Sequence, residues 1–73
     1  MIWKCTFFTH DNGSKKDLFQ YSGEGDQSKW KIFVDHRGAM LYRVSNFGQQ
    51  SFVARFKLLR KAKMTAEFVD INM

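Results

Sequence analysis

Seven basic side chains and no acidic one lie between Asp35 and Glu67. They are Arg37, Arg43, Arg55, Lys57, Arg60, Lys61 and Lys63. The rest of the chain carries five bases and seven acids, so this stretch supplies the formal net charge of +5. Positive charge segregated in this way is typical of a face that binds a polyanion or an acidic protein. A basic surface that serves only solubility is the alternative, and the complete lack of acids in the stretch argues against it.

Two aromatic residues in the same stretch add the chemistry of base stacking. Tyr42 precedes Arg43, and Phe47 follows in the next predicted loop. Single-stranded nucleic acid is held by aromatic rings among basic groups, and each stacked base contributes about 1–3 kcal/mol. A tyrosine half-buried on a sheet is the competing interpretation of Tyr42. The predicted nucleic-acid-binding residues are Arg37, Tyr42, Arg43, Phe47, Arg55, Lys57, Arg60, Lys61 and Lys63.

Candidate catalytic and metal-binding side chains are few. His10 and His36 are the only histidines, and each stands next to an aspartate at a predicted strand end or turn. Two histidines can in principle cleave RNA by acid–base transfer, but adjacent residues on a strand point to opposite faces, so neither aspartate orients its histidine. With Cys5 as the one cysteine, the chain also lacks the paired spacing of zinc ligands. We therefore predict no catalytic residue, no metal, no cofactor and no enzymatic activity.

Alternating apolar residues predict four strands in the first part of the chain, at residues 2–10, 17–21, 29–35 and 39–44. Turn signals at residues 11–14, which include Asn12-Gly13, and at residues 35–38 join these strands into two hairpins. Residues 22–28 contain two glycines and no large apolar side chain. That composition predicts a mobile surface loop.

Residues 51–64 fit both a strand and a helix. Phe52, Ala54 and Phe56 alternate as in a strand, while Phe52, Phe56 and Leu59 also follow helical spacing. Good helix formers and the absence of a turn residue within 60–63 favour a helix from about residue 48 to residue 63. Its bases would then lie near the C-terminal end and complement the helix macrodipole. Alternation at residues 66–71 predicts a last strand.

The order ββββαβ predicts an α+β fold, in which a small antiparallel sheet carries one helix from the C-terminal half of the chain on a face. A small all-β barrel is the alternative. The 73 residues are expected to form a single small domain, residues 1–73. Twelve aromatic residues are enough for a compact core, and the surplus suits a homodimer seam or a partner surface.

The apolar runs are all shorter than the roughly 18 residues that a membrane span needs. The first residues also lack the charged and apolar regions of a secretory signal. We therefore expect no membrane partner and a cytoplasmic location, and the single Cys5 fits a reducing compartment.

The leading functional hypothesis is a non-enzymatic, small basic protein that binds nucleic acid, with RNA or single strands favoured, through its acid-free basic surface. The alternative is an inhibitor or adaptor that docks on an acidic host protein. A compact, proline-free chain of this length resembles the small accessory proteins of bacteriophages in size and style. That resemblance implies the second function rather than the first.

Overall fold

Five strands precede one helix in the computed structural model of the chain. The structure describes residues 1–11 and 16–73, with the backbone alone for residues 7–11 and 16–18. Each strand pairs antiparallel with the next, which gives the sheet order β1-β2-β3-β4-β5. The elements are β1 (Trp3–Asp11), β2 (Lys16–Glu24), β3 (Lys29–Asp35), β4 (Gly38–Val44), β5 (Gln50–Phe56) and α1 (Leu59–Ile71).

The predicted α+β class is confirmed, because an antiparallel sheet carries one helix from the C-terminal half of the chain. The alternative of a small barrel is wrong, since the described strands form an open sheet with β1 and β5 at its edges. Both predicted hairpins are present as strand pairs. The turn predicted at Asn12-Gly13 lies outside the described residues.

The last two elements are placed differently from the prediction. Residues 50–56 form an edge strand on β4 instead of the first part of a helix, and residues 66–71 are helical instead of extended. Helix propensity misled the assignment because pairing with β4 outweighs the local preference of residues 50–56. The chain also passes from strand to helix at residues 57–58, so it needs no hairpin turn there.

Helix α1 covers one face of the sheet, which we call the inner face. Trp30, Ile32 and Leu41 are fully buried there, and they pack against Ala62 and Ala66 of the helix. The two alanines are four residues apart, so they lie on the same side of the helix. Their small side chains let the helix backbone approach the large side chains of β3 and β4.

One buried carboxylate fixes the far end of the helix. Asp70 is only 3% exposed. Its oxygens accept hydrogen bonds from the backbone amides of Asp26, Gln27 and Ser28 at 2.7, 3.1 and 3.0 Å. The indole Nε1 of Trp30 donates a further bond at 3.2 Å. The carboxylate thereby joins α1 to the β2–β3 connection and to the core.

This arrangement corrects the prediction of a mobile loop at residues 22–28. Residues 22–24 belong to β2, and the following amides are bound to Asp70. Gly25 allows the close approach, because a Cβ atom at this position would collide with the Asp70 carboxylate. A second indole strengthens the same side of the fold, since Trp3 Nε1 donates to Glu67 Oε1 over 3.2 Å.

The hydrogen bonds also set the acidity of Asp70. Burial alone would raise its pKa, but the bonds from Trp30 and from the three loop amides outweigh that effect and leave the pKa below its ordinary value of 3.8. The folded protein therefore favours the ionised form of Asp70 more strongly than the unfolded chain does.

Enlarging the helix side of the core should be costly. We expect Ala66→Leu to lower the free energy of unfolding by about 1–3 kcal/mol, because the added methyl groups must fit between α1 and the buried sheet side chains. Urea unfolding measures this change. Met64→Leu is the matched control, since Met64 is exposed on the same helix and should tolerate the change. An Ala66→Leu variant as stable as the wild type would contradict the described packing.

Replacing the buried carboxylate should lower stability and change its dependence on pH. We expect Asp70→Asn to melt at a lower temperature than the wild type at pH 7, because the neutral amide is a weaker acceptor and brings an N–H donor into a site formed by four other donors. Because the folded pKa is depressed, the stabilisation is present above the ordinary pKa of 3.8 and is lost as the pH falls below it.

Thermal melts from pH 7 down to about pH 2 measure both effects. The wild type should lose stability more steeply than Asp70→Asn as the pH falls below the ordinary carboxyl pKa. Asp26→Asn is the control, because its side chain is exposed while its backbone amide still binds Asp70. Parallel pH profiles for the wild type and Asp70→Asn would refute the assigned role.

Candidate nucleic-acid interface

The sheet surface opposite the helix, which we call the outer face, carries a patch of large side chains. This aromatic patch consists of Phe33 on β3, Met40 and Tyr42 on β4, and Phe52 on β5. The rings of Phe33 and Tyr42 meet edge to face with centroids 5.2 Å apart. Tyr42 and Phe52 meet similarly at 5.6 Å. Three strands thus present a continuous ladder of rings that no element of the described fold covers.

A bulge in β5 gives the outer face its basic neighbour. Phe52 pairs with Tyr42 and Arg55 pairs with Met40, so the register shifts by one residue at Val53. Side chains three residues apart point to opposite faces of a regular strand. The extra residue at Val53 therefore brings both Phe52 and Arg55 onto the outer face. A guanidinium nitrogen of Arg55 lies 3.4 Å from the sulfur of Met40.

The aromatic patch borders an open groove with a volume of about 470 Å³. Phe33 and Tyr42 form part of its apolar lining, and the polar residues Gln20 and Gln50 also line it. One acidic residue, Asp35, completes the lining, and its carboxylate accepts a hydrogen bond from the backbone amide of Arg37 at 2.7 Å. Lys31 stands opposite Tyr42 in the sheet register and adds a positive charge beside the rings. The outer face thus combines stacking surfaces, amide groups and ammonium or guanidinium groups.

A second group of bases lies at one end of the sheet, where the β3–β4 turn, the end of β5 and the start of α1 meet. We call it the basic end, and it comprises Arg37, Lys57, Arg60 and Lys61. The turn lies close to β5 because Gly38, at φ 133°, has no Cβ to collide with the carbonyl of Phe56. Arg55, near the end of β5, lies between the aromatic patch and this end.

The position of the basic end overturns one expectation. Because α1 begins at Leu59, Arg60 and Lys61 lie in its first turn, where no acidic residue and no side-chain cap are present. Bases at this end oppose the helix macrodipole instead of complementing it. Helix stability therefore gives no reason for these charges.

The remaining predicted residues lie elsewhere. Arg43 is on the inner-face side of β4 and donates from Nε to Ser28 Oγ at 2.9 Å. The Lys63 ammonium sits 4.9 Å from the ring centroid of Tyr21, a cation–π contact that packs the helix on the sheet. Phe47 is 99% exposed in the β4–β5 connection.

The predicted set is thus divided by the fold. Tyr42 and Arg55 belong to the outer face, four bases form the basic end, and three residues stand apart. Sequence reasoning did not include Phe33, Phe52 and Lys31. A signal for them existed, because β3 and β4 carry apolar residues on both faces, and one helix can cover only one of those faces.

The structure describes the side chain of one of the two candidate histidines. His36 is exposed in the β3–β4 turn, and the side chain of His10 is not among those described. Within the described residues, no three His, Cys, Asp or Glu side chains are grouped so as to hold a metal ion. None of the helices in residues 1–11 and 16–73 is long and apolar enough to cross a membrane.

Comparisons with protein-family models, with curated proteins and with solved structures give no match for this chain. The chemistry of its own surfaces is therefore the ground for a functional proposal.

The ring ladder can be tested before any ligand is added. We expect a double-mutant cycle of Tyr42→Leu and Phe52→Leu to show a coupling of about 0.5–1.5 kcal/mol in the free energy of unfolding, because the edge-to-face contact is lost with either ring. Urea unfolding of the four proteins measures it. A cycle of Phe47→Leu with Phe52→Leu is the control and should be additive. A coupling of zero for Tyr42 and Phe52 would mean that the rings do not meet in solution.

Proposed function

We propose that this protein is a non-enzymatic binder of single-stranded nucleic acid, with RNA favoured, and that the aromatic patch and the neighbouring bases form its binding surface. The single observation that carries the proposal is the uncovered ladder of Phe33, Tyr42 and Phe52 beside Lys31 and Arg55. Bases of the nucleic acid stack on the rings, and phosphates contact the cationic side chains.

The shape of the outer face supports a single strand over a duplex. Stacking on a sheet requires bases whose flat faces are free, and in a duplex those faces are occupied by neighbouring base pairs. Helix α1 carries its basic side chains in its first turns and not along one side. It therefore offers no stripe of basic residues that could enter a groove of a duplex. The groove beside the rings also provides the amides of Gln20 and Gln50 for contacts with base edges.

The arrangement of the basic side chains supports a path for the sugar–phosphate backbone of the bound nucleic acid. From Phe52, the phosphates pass Arg55 near the end of β5 and then reach Lys57, Arg37 and Lys61 at the basic end. This path includes four of the seven basic residues of the acid-free stretch. It leaves out Arg43 and Lys63, which make contacts inside the protein.

The proposal extends to activity and location. Binding of this kind requires no catalytic group, and we place the protein in the cytoplasm, where its one cysteine suits a reducing environment. Incubation with labelled RNA tests the first point. Strand cleavage by the wild type that is lost in a His10→Ala, His36→Ala double variant would show that the protein is an enzyme.

Loss of one stacking ring should weaken binding. We expect Phe52→Ala to raise the dissociation constant for a labelled single-stranded RNA by about 5- to 150-fold, which corresponds to the 1–3 kcal/mol of one stacked base. Phe52 is 58% exposed, so the fold should tolerate the change. The control is Phe68→Ala, which removes the same ring from the exposed outer side of α1 and should bind as the wild type does. Equal losses in both variants would contradict a site on the sheet.

The same titration tests the charges when it is repeated at several salt concentrations. Wild-type affinity should fall as salt rises, and Arg55→Gln should reduce the slope of log affinity against log salt by about 0.7. Arg43→Gln, which lies on the other face of the sheet, is the matched control and should leave the slope unchanged. No affinity for RNA or single-stranded DNA at low salt, or affinity independent of salt, would overturn the proposal.

The outcome that would favour the alternative is equally definite. Capture of partners from a cell lysate, with and without nuclease, separates a nucleic-acid binder from an accessory inhibitor or adaptor that docks on an acidic protein. Partners lost after nuclease treatment support the proposal. Partners that survive it, together with a failed RNA titration, would assign the basic surface to a protein.

A further inference from the structure

The outer side of α1 carries an unpartnered apolar stripe. Met64, Phe68 and Ile71 are spaced by four and three residues, which places them along one side of the helix. Phe68 is 69% exposed and Ile71 is 78% exposed. The stripe lies away from Ala62 and Ala66, which face the sheet. Spacing of four and three residues is that of a seam where two helices pack together.

The two ends of this apolar stripe have opposite charges. Arg60 and Lys61 stand beside its beginning, within the basic end. At its other end, Ile71 lines a hollow together with the acidic residues Glu24, Asp26 and Glu67, and with Asp70, whose carboxylate is already bound within the fold. In a parallel pair, like charges and the like ends of the two macrodipoles would lie side by side, which is unfavourable. In an antiparallel pair, each basic end meets an acidic hollow.

We propose that the apolar stripe of Met64, Phe68 and Ile71 is a docking surface for a second copy of this chain, in which the two α1 helices pack antiparallel about a twofold axis at the level of Ala66. Such an interface is isologous, so the same stripe serves both copies. Phe68 packs beside Met64 of the other copy, and Ile71 lies beside Lys61, where the bases of one copy reach the acidic hollow of the other.

Charge complementarity within the chain selects this occupant. The partner must bury an apolar seam and present acids at one end and bases at the other, and a second copy meets all three requirements. The antiparallel arrangement also sets the positive start of each helix against the negative end of the other. The negative end of the partner helix then offsets the unfavourable position of Arg60 and Lys61 at the start of their own helix. An entirely acidic partner would meet the acidic hollow with like charge.

The size of the surface predicts a weak dimer. A helix of 13 residues is about 20 Å long. The contact therefore falls below the roughly 1,200 Å² of a standard interface. We expect a dissociation constant between about 1 μM and 1 mM. Because each aromatic patch lies on the sheet face opposite to the helix, pairing leaves both patches open.

Sedimentation equilibrium of the nucleic-acid-free protein over this concentration range tests the proposal. The wild type should dimerise reversibly, and Phe68→Glu should raise the dissociation constant at least about 30-fold, as expected for an anchor residue at the centre of an interface. Phe47→Glu makes the same change of charge on an exposed ring outside the helix and should dimerise as the wild type does. A wild type that stays monomeric up to about 1 mM, or a dimer unaffected by Phe68→Glu, would overturn the proposal.

Cross-linking tests the orientation. In a Cys5→Ser background, chains with Lys61→Cys and chains with Ile71→Cys are mixed and treated with a short thiol cross-linker. Antiparallel packing predicts products that join one kind of chain to the other. Products that join only like chains would indicate parallel helices and contradict the pairing of opposite charges. Neither measurement uses RNA, so its result is independent of whether the outer face binds nucleic acid.

Discussion

The carboxylate of Asp70 is the contact on which the arrangement of the fold depends. It is buried at the end of α1, and it satisfies three consecutive loop amides and the indole of Trp30. A buried charge is costly unless it is paired and hydrogen-bonded. The helix must therefore end where these donors converge, and that position brings Ala62 and Ala66 onto the sheet. One side chain thus fixes the register of the helix, the path of the β2–β3 connection and the orientation of a core tryptophan.

The second constraint is that one helix serves a sheet with apolar residues on both faces. Once α1 is docked on the inner face, Phe33, Tyr42 and Phe52 can cover one another only by packing edge to face. The bulge at Val53 then brings Arg55 to the same side. An exposed aromatic surface of this kind usually marks a binding site in a small protein. The functional proposal thus rests as much on the aromatic face that no helix covers as on the basic residues themselves.

The charges of α1 run against its macrodipole, with bases at its start and acids at its end. Asp70 explains one part of this pattern, since its hydrogen bonds outweigh an unfavourable position near the helix C-terminus. The bases at the start have no such compensation among the described contacts. Their positive charge acts on binding partners instead. The proposed function uses it to bind phosphates, and the proposed dimer uses it to bind the acidic hollow of a second copy. A helix that stabilised only itself would carry the opposite arrangement.

The sequence by itself determined the α+β class, the first four strands and the concentration of positive charge. These features depend on local alternation and on composition. Only the tertiary structure decided that residues 50–56 are a strand, that α1 runs to Ile71, and that Phe33 and Phe52 flank Tyr42. The reason is physical: pairing with β4 outweighs helix propensity, and a one-residue bulge reverses which side chains share a face. The role of Asp70 in the fold could not be predicted from the sequence either, because its hydrogen-bond donors lie 40 to 44 residues away in the chain.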